Sequence, residues 1–309
     1  MRAAALPSNI RDTAFTTSTA QKLGVTRSRL RRTDLASPFH GVRTPYESGV
    51  EPTIFELCEA FRAGMDDGQF FSHVTAATIY GLPLPLHTGS GTHILVAVVK
   101  PRRAPRGAGV IGHKLTIDPN TLREWNGFPV PDPVEVWCEL AATFSIDELV
   151  IAGDALLRRK SPLAETRRLA AAVAAATNRP GAERLRLALP NIRARTDSPM
   201  ETTLRLAIAR ARLPEPEVNW AILDAAGAFR GFADLAFPLF RVLVEYDGDH
   251  HRTDSVQYFT DVDRLWMFQS LGWRIVRINK THTLPEAIQR IRTALSTGEG
   301  VATRRVPSS

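Results

Sequence analysis

Apolar and polar residues alternate along two stretches near the C-terminal end of the chain, and a short turn that contains a proline separates them. Alternation of this kind is typical of β-strands, and two such runs joined by a turn predict a hairpin. The predicted strands cover residues 229–237 and 242–247. If the turn is centred on Leu239 and Phe240, Asp234 stands directly opposite Glu245, with the two Cβ atoms ~5 Å apart.

Further elements are predicted on both sides of this hairpin. Before it, Ser198 and Glu201 form a capping box at the start of a helix, with Pro199 at the first helical position. Glu201 also begins the inward-facing stripe of that helix, so a capping role and a role in a site are both open. The other predicted elements are a strand at 217–223, a turn at 224–227, a helix at 257–270 that ends at Gly272, and a strand at 273–279. Strands flanked by helices in this order predict a mixed sheet with helical cover.

The N-terminal segment has a different pattern. Residues 18–21 form a capping box for a short helix, Gly24 ends that helix, and Thr26 caps a second helix rich in arginine. A helix, a glycine-containing turn and a basic helix predict a helix-turn-helix, and residues 39–42 predict a small wing. A solvated basic helix in an unrelated bundle is the alternative interpretation.

Composition limits the classes of protein that fit. A length of 309 residues predicts two or three domains, and 44% hydrophobic residues allow ordinary cores. The two cysteines, Cys58 and Cys138, lie too far apart for a zinc motif and form no disulfide framework. The longest apolar runs, such as residues 169–176, are too short to span a bilayer, and no signal peptide is recognisable. We therefore expect a cytoplasmic protein.

The net charge of +7 is concentrated at the N-terminus, since residues 1–45 contain eight basic residues against two acidic ones. A basic cluster of this kind is the electrostatic footprint of nucleic-acid binding. The sequence therefore predicts DNA contacts from Arg27, Arg29, Arg31 and Arg32.

Three acids of the predicted hairpin share one face. Asp247 follows Glu245 by two residues, and side chains at i and i+2 of a strand point to the same side. Asp234 joins them across the hairpin. Carboxylates this close repel one another unless a cation or a base lies nearby, and their oxygens suit Mg²⁺ or Mn²⁺. A solvated sheet face is the alternative, but the neighbours on that face are apolar, which favours a half-buried site.

The acids belong to a longer motif. It consists of Asp-x10-Glu-x-Asp-Gly from Asp234 onward, then His250 and His251, then Asp263-Arg264, then the strand GWRIVRIN. Over residues 196–295 this pattern resembles the nuclease-like domain of the very-short-patch-repair (Vsr)-type endonucleases, a branch of the PD-(D/E)xK nucleases. The resemblance implies a DNA endonuclease in which two or more of the acids Glu201, Asp234, Glu245 and Asp247 hold Mg²⁺ or Mn²⁺.

The chain departs from that pattern at Asp247, which stands where E-x-K has a lysine. The general base is then predicted to be His251 or His250, because an imidazole that titrates near neutrality can take a proton from water. Asp247 stays a candidate catalytic residue. Arg264 and Arg277 are candidates for DNA phosphate contacts, but a structural ion pair among Asp263, Arg264 and Arg277 is the favoured interpretation.

The basic N-terminal segment resembles the winged helix-turn-helix of AbiEi-type antitoxins. The predicted fold class is therefore α/β (α+β) with four parts. These are a winged helix-turn-helix at 1–48, an α/β antitoxin-like middle region at 49–195 that ends in a linker beginning at 178, a restriction-endonuclease-like mixed sheet at 196–295, and a flexible tail at 296–309.

Two functions are open on these grounds. The first is a metal-dependent DNA endonuclease that an N-terminal DNA-binding domain targets. The second is a non-catalytic DNA-binding transcriptional regulator of AbiEi antitoxin type. The expected partner in both cases is DNA rather than a membrane. A second copy of the chain in a homodimer and, for the regulator, a cognate toxin are further partners compatible with these classes.

Overall fold

The structure is a computed structural model that describes residues 5–45, 51–85, 88, 93–247 and 255–297, with side chains from residue 263 onward in the last segment. Helices and strands are mixed along the chain, so the fold class is α+β, as the sequence predicts. The chain divides into two compact units, one of residues 1–143 and 178–182, the other of residues 144–177 and 183–309.

The N-terminal unit combines short helices with small sheets. Its helices are α1 (Thr17–Lys22), α2 (Ile54–Arg62), α3 (His73–Ile79) and α4 (Pro133–Leu140). Its strands are β1 (Phe15–Thr16), β2 (Val42–Arg43), β3 (Gln69–Phe71), β4 (Ile94–Val99), β5 (Val110–Leu115), β6 (Leu122–Trp125) and β7 (Phe128–Pro131). Strands β3, β4 and β5 form one sheet, while β1 pairs with β2 and β6 pairs with β7.

The predicted helix-turn-helix is only partly formed. Helix α1 is present, but its cap is Thr16, whose hydroxyl accepts a hydrogen bond from Thr19 N at 3.0 Å, and not Ser18. The predicted second helix is a single 3-10 turn, Arg29–Arg31. Its sequence offers only Leu30 for burial, so no apolar stripe sustains further helical turns.

The segment that follows forms a hairpin of the kind predicted as a wing. Ala36 bridges Thr44 in antiparallel fashion, and Gly41 turns the chain with a φ of +75°. Strand β2 within this hairpin pairs with β1. The N-terminal segment thus contains a short helix, a 3-10 turn and a small sheet.

The C-terminal unit contains the region of the predicted site. Its helices are α5 (Ile146–Leu156), α6 (Thr166–Ala175), α7 (Ala182–Ala188), α8 (Pro199–Arg210), α9 (Ser255–Ser270) and α10 (Leu284–Ser296). Its strands are β8 (Glu217–Leu223), β9 (Phe229–Phe237), β10 (Val242–Asp247) and β11 (Arg274–Asn279). They form one mixed sheet in the order β11-β10-β9-β8.

The hairpin of β9 and β10 has the register that the sequence predicts. Val244 pairs with Leu235 in antiparallel fashion, so Asp234 and Glu245 come next in the same register. A 3-10 turn followed by Arg241, with a φ of +54°, reverses the chain. Strand β11 pairs with β10 in parallel, and helix α9 provides the crossover between them.

Helices cover the two faces of this sheet. On one face, residues of α8 and α10, among them Leu204, Ile208 and Ile291, pack against Leu235 and Val244 of the central strands. On the other face, a second apolar cluster joins sheet residues to α9; its buried members are Ile222, Ala233, Ala236, Leu243, Phe268 and Trp273. Alternation along each strand therefore supplies both cores, as expected for a sheet buried on two sides.

The stretch predicted as a linker, from residue 178 to 197, is instead largely folded. It contains α7 and a 3-10 turn, Leu189–Asn191, and Leu185 is fully buried. Pro180, Gly181 and Pro190 suggested a loop, but leucine and alanine between them supply an apolar helical face. The sequence-based boundaries assign residues 144–177 and 183–195 to the middle region, whereas these residues belong to the C-terminal unit.

Within the described part of the chain, no helix has the length and apolar character needed to cross a membrane.

Candidate active site

Three carboxylates from three different elements lie beside one another in the C-terminal unit. Glu201 is in the first turn of α8, Asp234 in β9 and Glu245 in β10. Glu201 and Glu245 are 4% and 6% exposed, and the charge of Asp234 acts on both. The structure therefore brings together three of the four acids that the sequence assigns to a metal site.

Glu201 contributes to the cap of α8 through its backbone and to the site through its side chain. Its N–H donates to the capping hydroxyl of Ser198 at 3.2 Å, which is one of the two hydrogen bonds of the predicted capping box. Its carboxylate accepts hydrogen bonds from the backbone N–H of Asp197, at 3.0 Å, and from the side-chain amide of Asn219, at 3.2 Å. The capping role and the role in the site are thus compatible.

Asn219 is a member of the site that sequence reasoning missed. It is 4% exposed and lies in the edge strand β8, at the position beside Asp234. Its φ of +46° is left-handed, a conformation rare for residues other than glycine but better tolerated by asparagine. Its amide also donates to the carbonyl of Arg195 at 2.6 Å. The available signal was an asparagine inside an otherwise apolar strand, where asparagine is unfavourable.

Asp234 and Glu245 are tied to the backbone and to α9. One oxygen of Asp234 accepts the backbone N–H of Tyr246 at 2.8 Å. Arg264 of α9 donates to Glu245 Oε2 at 3.0 Å and to the carbonyl of Phe232 at 2.8 Å. Glu245 Oε1 is buried and has no hydrogen-bond partner among the described residues. A buried carboxylate oxygen without a donor is costly, so this atom is positioned for a cation or a water.

Burial and mutual repulsion change the protonation of the two glutamates. Desolvation, followed by the charge of Asp234, raises the pKa of Glu201 to about 8. The same two causes raise the pKa of Glu245 to about 8, although Arg264 acts in the opposite direction. Acids with raised pKa values that share a buried site are typical of catalytic and metal-binding centres.

The donors present fit a hard divalent cation. Mg²⁺ prefers oxygen ligands and commonly takes only one or two carboxylates from the protein, with water completing its shell. Asp234 and Glu245 on neighbouring strands supply such a pair, and Glu245 Oε1 is buried without a partner in the described residues. No group of three or more histidine, cysteine or acidic side chains in the described chain is close enough to share an ion. The residues therefore fit a site with two protein carboxylates, the smallest number that the sequence predicts for the ion.

Asp247 and the basic residues near it depart from expectation. Asp247 accepts a hydrogen bond from Arg277 at 2.7 Å and is not part of the buried group. Asp263 is exposed, and Arg264 pairs with Glu245. Arg264 and Arg277 each pair with one acid of β10, because Arg264 lies on α9, which packs against that strand, and Arg277 lies on β11, which pairs with it.

A buried ion pair supports α8 behind the acids. Asp154 of α5 is 1% exposed and accepts hydrogen bonds from Arg205 Nη2 at 2.8 Å and Thr202 Oγ1 at 2.9 Å, both on α8. Its other oxygen accepts the backbone N–H of Arg193 at 2.7 Å. Asp154 therefore fixes α8 and the segment that leads to Arg195, which are the two elements that hold Glu201 and Asn219.

The N-terminal arginines differ in their availability. Arg29 forms a two-pronged ion pair with Asp34, at 3.0 and 2.8 Å, and its side chain is only 10% exposed. Arg27, Arg31 and Arg32 are exposed. Three of the four arginines predicted to meet DNA are therefore accessible, while Arg29 stabilises the fold of the segment.

His250 and His251, the predicted general bases, lie outside the described residues.

Comparisons with protein-family models, with curated proteins and with solved structures gave no match to this chain.

Proposed function

We propose that the C-terminal unit is a metal-dependent DNA endonuclease that hydrolyses phosphodiester bonds. The observation that carries the proposal is the group of Glu201, Asp234 and Glu245, in which both glutamates are buried with raised pKa values and Glu245 Oε1 has no partner among the described residues. The resemblance of this region to Vsr-type endonucleases supports the same activity.

In the proposed site, Asp234 and Glu245 would hold Mg²⁺ or Mn²⁺, and Glu201 lies beside them, held by the amide of Asn219. When bound, the ion polarises the scissile phosphate and lowers the pKa of a water. Arg264 holds Glu245 Oε2, and the other carboxylate oxygen, Oε1, is buried and has no partner among the described residues. From the sequence, His251 or His250 is the predicted base that takes the proton from the water.

The N-terminal unit is proposed to deliver the nuclease to DNA. Arg27, Arg31 and Arg32 are exposed in the segment that holds most of the net charge. Phosphate contacts of this kind give affinity without sequence preference. A DNA substrate also agrees with the proposed location of the protein in the cytoplasm.

One observation favours the alternative, a non-catalytic DNA-binding regulator of antitoxin type. Asp247 stands at the position of the lysine in E-x-K and is neutralised by Arg277, at 2.7 Å. In that case the C-terminal unit grips the DNA backbone through its arginines and makes no cut. A regulator should bind a promoter-like site without metal. A nuclease should convert supercoiled plasmid to cut forms only when a divalent ion is present.

Plasmid cleavage separates the two functions. Purified full-length protein is incubated with supercoiled plasmid in Mn²⁺, in Mg²⁺ and in EDTA, alongside Asp234→Asn and the control Asp147→Asn. Asp147 is an exposed aspartate of the same unit. We expect cleavage by wild type and Asp147→Asn in metal alone, and none by Asp234→Asn. Absence of cleavage by wild type in both metals, or equal cleavage by Asp234→Asn, contradicts the proposal.

A further inference from the structure

A cavity of about 620 Å³ opens beside the edge strand β8, next to the acids. Its walls come from residues 193–195 and from residues 215–221. Asn219 belongs both to this wall and to the acid group, because its amide donates to Glu201. The cavity and the proposed catalytic carboxylates therefore share a residue, and the volume falls in the range of sites for small ligands or single nucleotides.

Arg195 supplies the positive charge of the cavity wall that is not already paired with an acid of the described residues. Arg193, the other arginine of the wall, is neutralised by Glu215, with Nε at 2.8 Å from the carboxylate. Arg195 is exposed and forms no ion pair with the described residues. It lies 5.6 Å from the centre of the Phe232 ring, close enough for a cation–π contact. Its charge is therefore available to an anionic ligand.

The backbone of Arg195 is fixed in an uncommon conformation. Its φ is +74°, in the left-handed region where residues other than glycine are strained. Two hydrogen bonds hold it there: its N–H donates to Leu157 O at 2.9 Å, and its carbonyl accepts from Asn219 at 2.6 Å. Strain that the surroundings maintain occurs preferentially at ligand-binding positions.

Trp220 supplies an aromatic surface to the same cavity. It lies in β8 next to Asn219 and is 37% exposed. Exposed aromatic rings beside a basic group are the combination that binds single-stranded nucleic acid, because every base has a face that can stack. Glu217 is an acid of the same wall and opposes an anion there.

We propose that this cavity binds one nucleotide of a single-stranded DNA segment, with its phosphate on Arg195 and its base stacked on Trp220. The proposal rests on the proposed nuclease function and extends it, because it places the single DNA strand next to the proposed metal site. It favours a substrate with an unpaired segment, since a base has to leave the duplex stack before its face can lie on a tryptophan side chain.

Binding to a short fluorescein-labelled single-stranded DNA, followed by anisotropy in EDTA, tests the cavity without cleavage. A duplex of the same sequence is the second probe. Arg195→Ala should weaken single-strand binding several-fold and reduce the slope of log affinity against log salt by about 0.7, the value for one phosphate contact. Arg195→Lys should retain most of that slope. Arg212→Ala is the matched control, because Arg212 is also exposed with a positive φ, of +54°, and lies outside the cavity wall.

The aromatic contact has its own pair of variants. Trp220→Ala should weaken single-strand binding about five-fold or more, and duplex binding much less. Trp266→Ala is the control, since Trp266 is 71% exposed in the same unit and outside the cavity wall. Glu217→Gln should strengthen binding of the single strand, because it removes an opposing charge. The proposal is overturned if Arg195→Ala equals Arg212→Ala and Trp220→Ala equals Trp266→Ala.

These outcomes are independent of the nuclease test. If wild type never cuts DNA but the Arg195 and Trp220 variants lose single-strand affinity, the cavity is correct and the endonuclease function is wrong. If metal-dependent cleavage requires Asp234 while these variants bind like wild type, the endonuclease function stands and the cavity proposal fails.

Discussion

The side-chain amide of Asn219 donates a hydrogen bond to Glu201 Oε2 at 3.2 Å, which links the edge strand β8 to the first turn of α8. The same amide donates to the carbonyl of Arg195 at 2.6 Å. One side chain thus connects the acid group with the cavity beside it. The left-handed backbone of Asn219, with a φ of +46°, is needed to place the amide between these two acceptors.

Two substitutions of Asn219 can therefore separate its effect on the free energy of unfolding from its effect on the acid group. Asn219→Ala removes two buried hydrogen bonds and places alanine at a positive φ, for a combined cost of about 2–4 kcal/mol of unfolding free energy. Asn219→Gly relieves the backbone strain while it still removes the amide. Because Asp234 and Glu245 are the proposed ligands, loss of the amide that orients Glu201 should weaken Mn²⁺ binding in both variants without abolishing it. Only the alanine variant should show the full loss of stability in urea unfolding. Unchanged Mn²⁺ affinity in both variants would show that Asn219 has a structural role alone.

The buried pair of Asp154 and Arg205 should be much more sensitive than an exposed pair of the same types. Asp154→Ala leaves a buried guanidinium without its partner, which costs about 3–5 kcal/mol. Asp147→Ala breaks the exposed pair with Arg210 and should cost less than about 1 kcal/mol. Urea unfolding of both variants measures the difference. Equal costs would mean that Asp154 does not hold α8 in place.

The raised pKa of Glu245 predicts how stability changes with pH in metal-free protein. The native carboxyl keeps its proton up to about pH 8, while in the unfolded chain it ionises near its ordinary value of 4.5. Between these values the native state binds more protons, so the free energy of unfolding falls as pH rises. Glu245→Gln should remove the share of this fall in unfolding free energy that Glu245 causes.

Melting temperatures in EDTA between pH 4.5 and 8 measure the effect. Glu201 and, in the N-terminal unit, Glu139 also have pKa values raised to about 8, so both add to the wild-type decline and the comparison of variant with wild type gives the share of Glu245. Glu217→Gln, at an exposed position, should follow the wild-type profile. A Glu245→Gln profile parallel to that of wild type would contradict the assignment.

The N-terminal arginines should contribute unequally to DNA affinity. Arg27, Arg31 and Arg32 are exposed, and each phosphate contact that is lost should reduce the log-log salt slope by about 0.9 on duplex DNA. Arg29→Ala should leave the slope nearly unchanged, because Arg29 is already paired with Asp34. The affinity of each variant for duplex DNA, measured over a range of salt concentrations, gives the slopes to be compared. An equal change of slope for Arg29→Ala and Arg31→Ala would show that the Asp34 pair opens on binding.

The sequence predicted the strands of the C-terminal sheet well. The bounds of β8, β9 and β10 match the prediction, because apolar, partly alternating runs with turn residues at their ends define strands locally. The register followed from the position of the turn, and with it the approach of Asp234 to Glu245.

Features that depend on contacts between residues distant in the sequence could not be predicted from local patterns. The distance in sequence between Asp154 and Arg205 hides their pairing, and nothing local marks Asn219 as the link between Glu201 and Arg195. In the N-terminal segment, capping patterns predicted a second helix, but a run with Leu30 as its one buried residue lacks the apolar face that stabilises a short helix.

Mn²⁺ binding to metal-free protein tests the central claim most directly. Isothermal titration calorimetry is carried out on wild type, Asp234→Asn, Glu245→Gln and the control Asp147→Asn, at a pH above 8, where the glutamates ionise. The account predicts one site per chain in wild type and in Asp147→Asn, and loss of that site in the other two variants. Equal heats for wild type, Asp234→Asn and Glu245→Gln would contradict it.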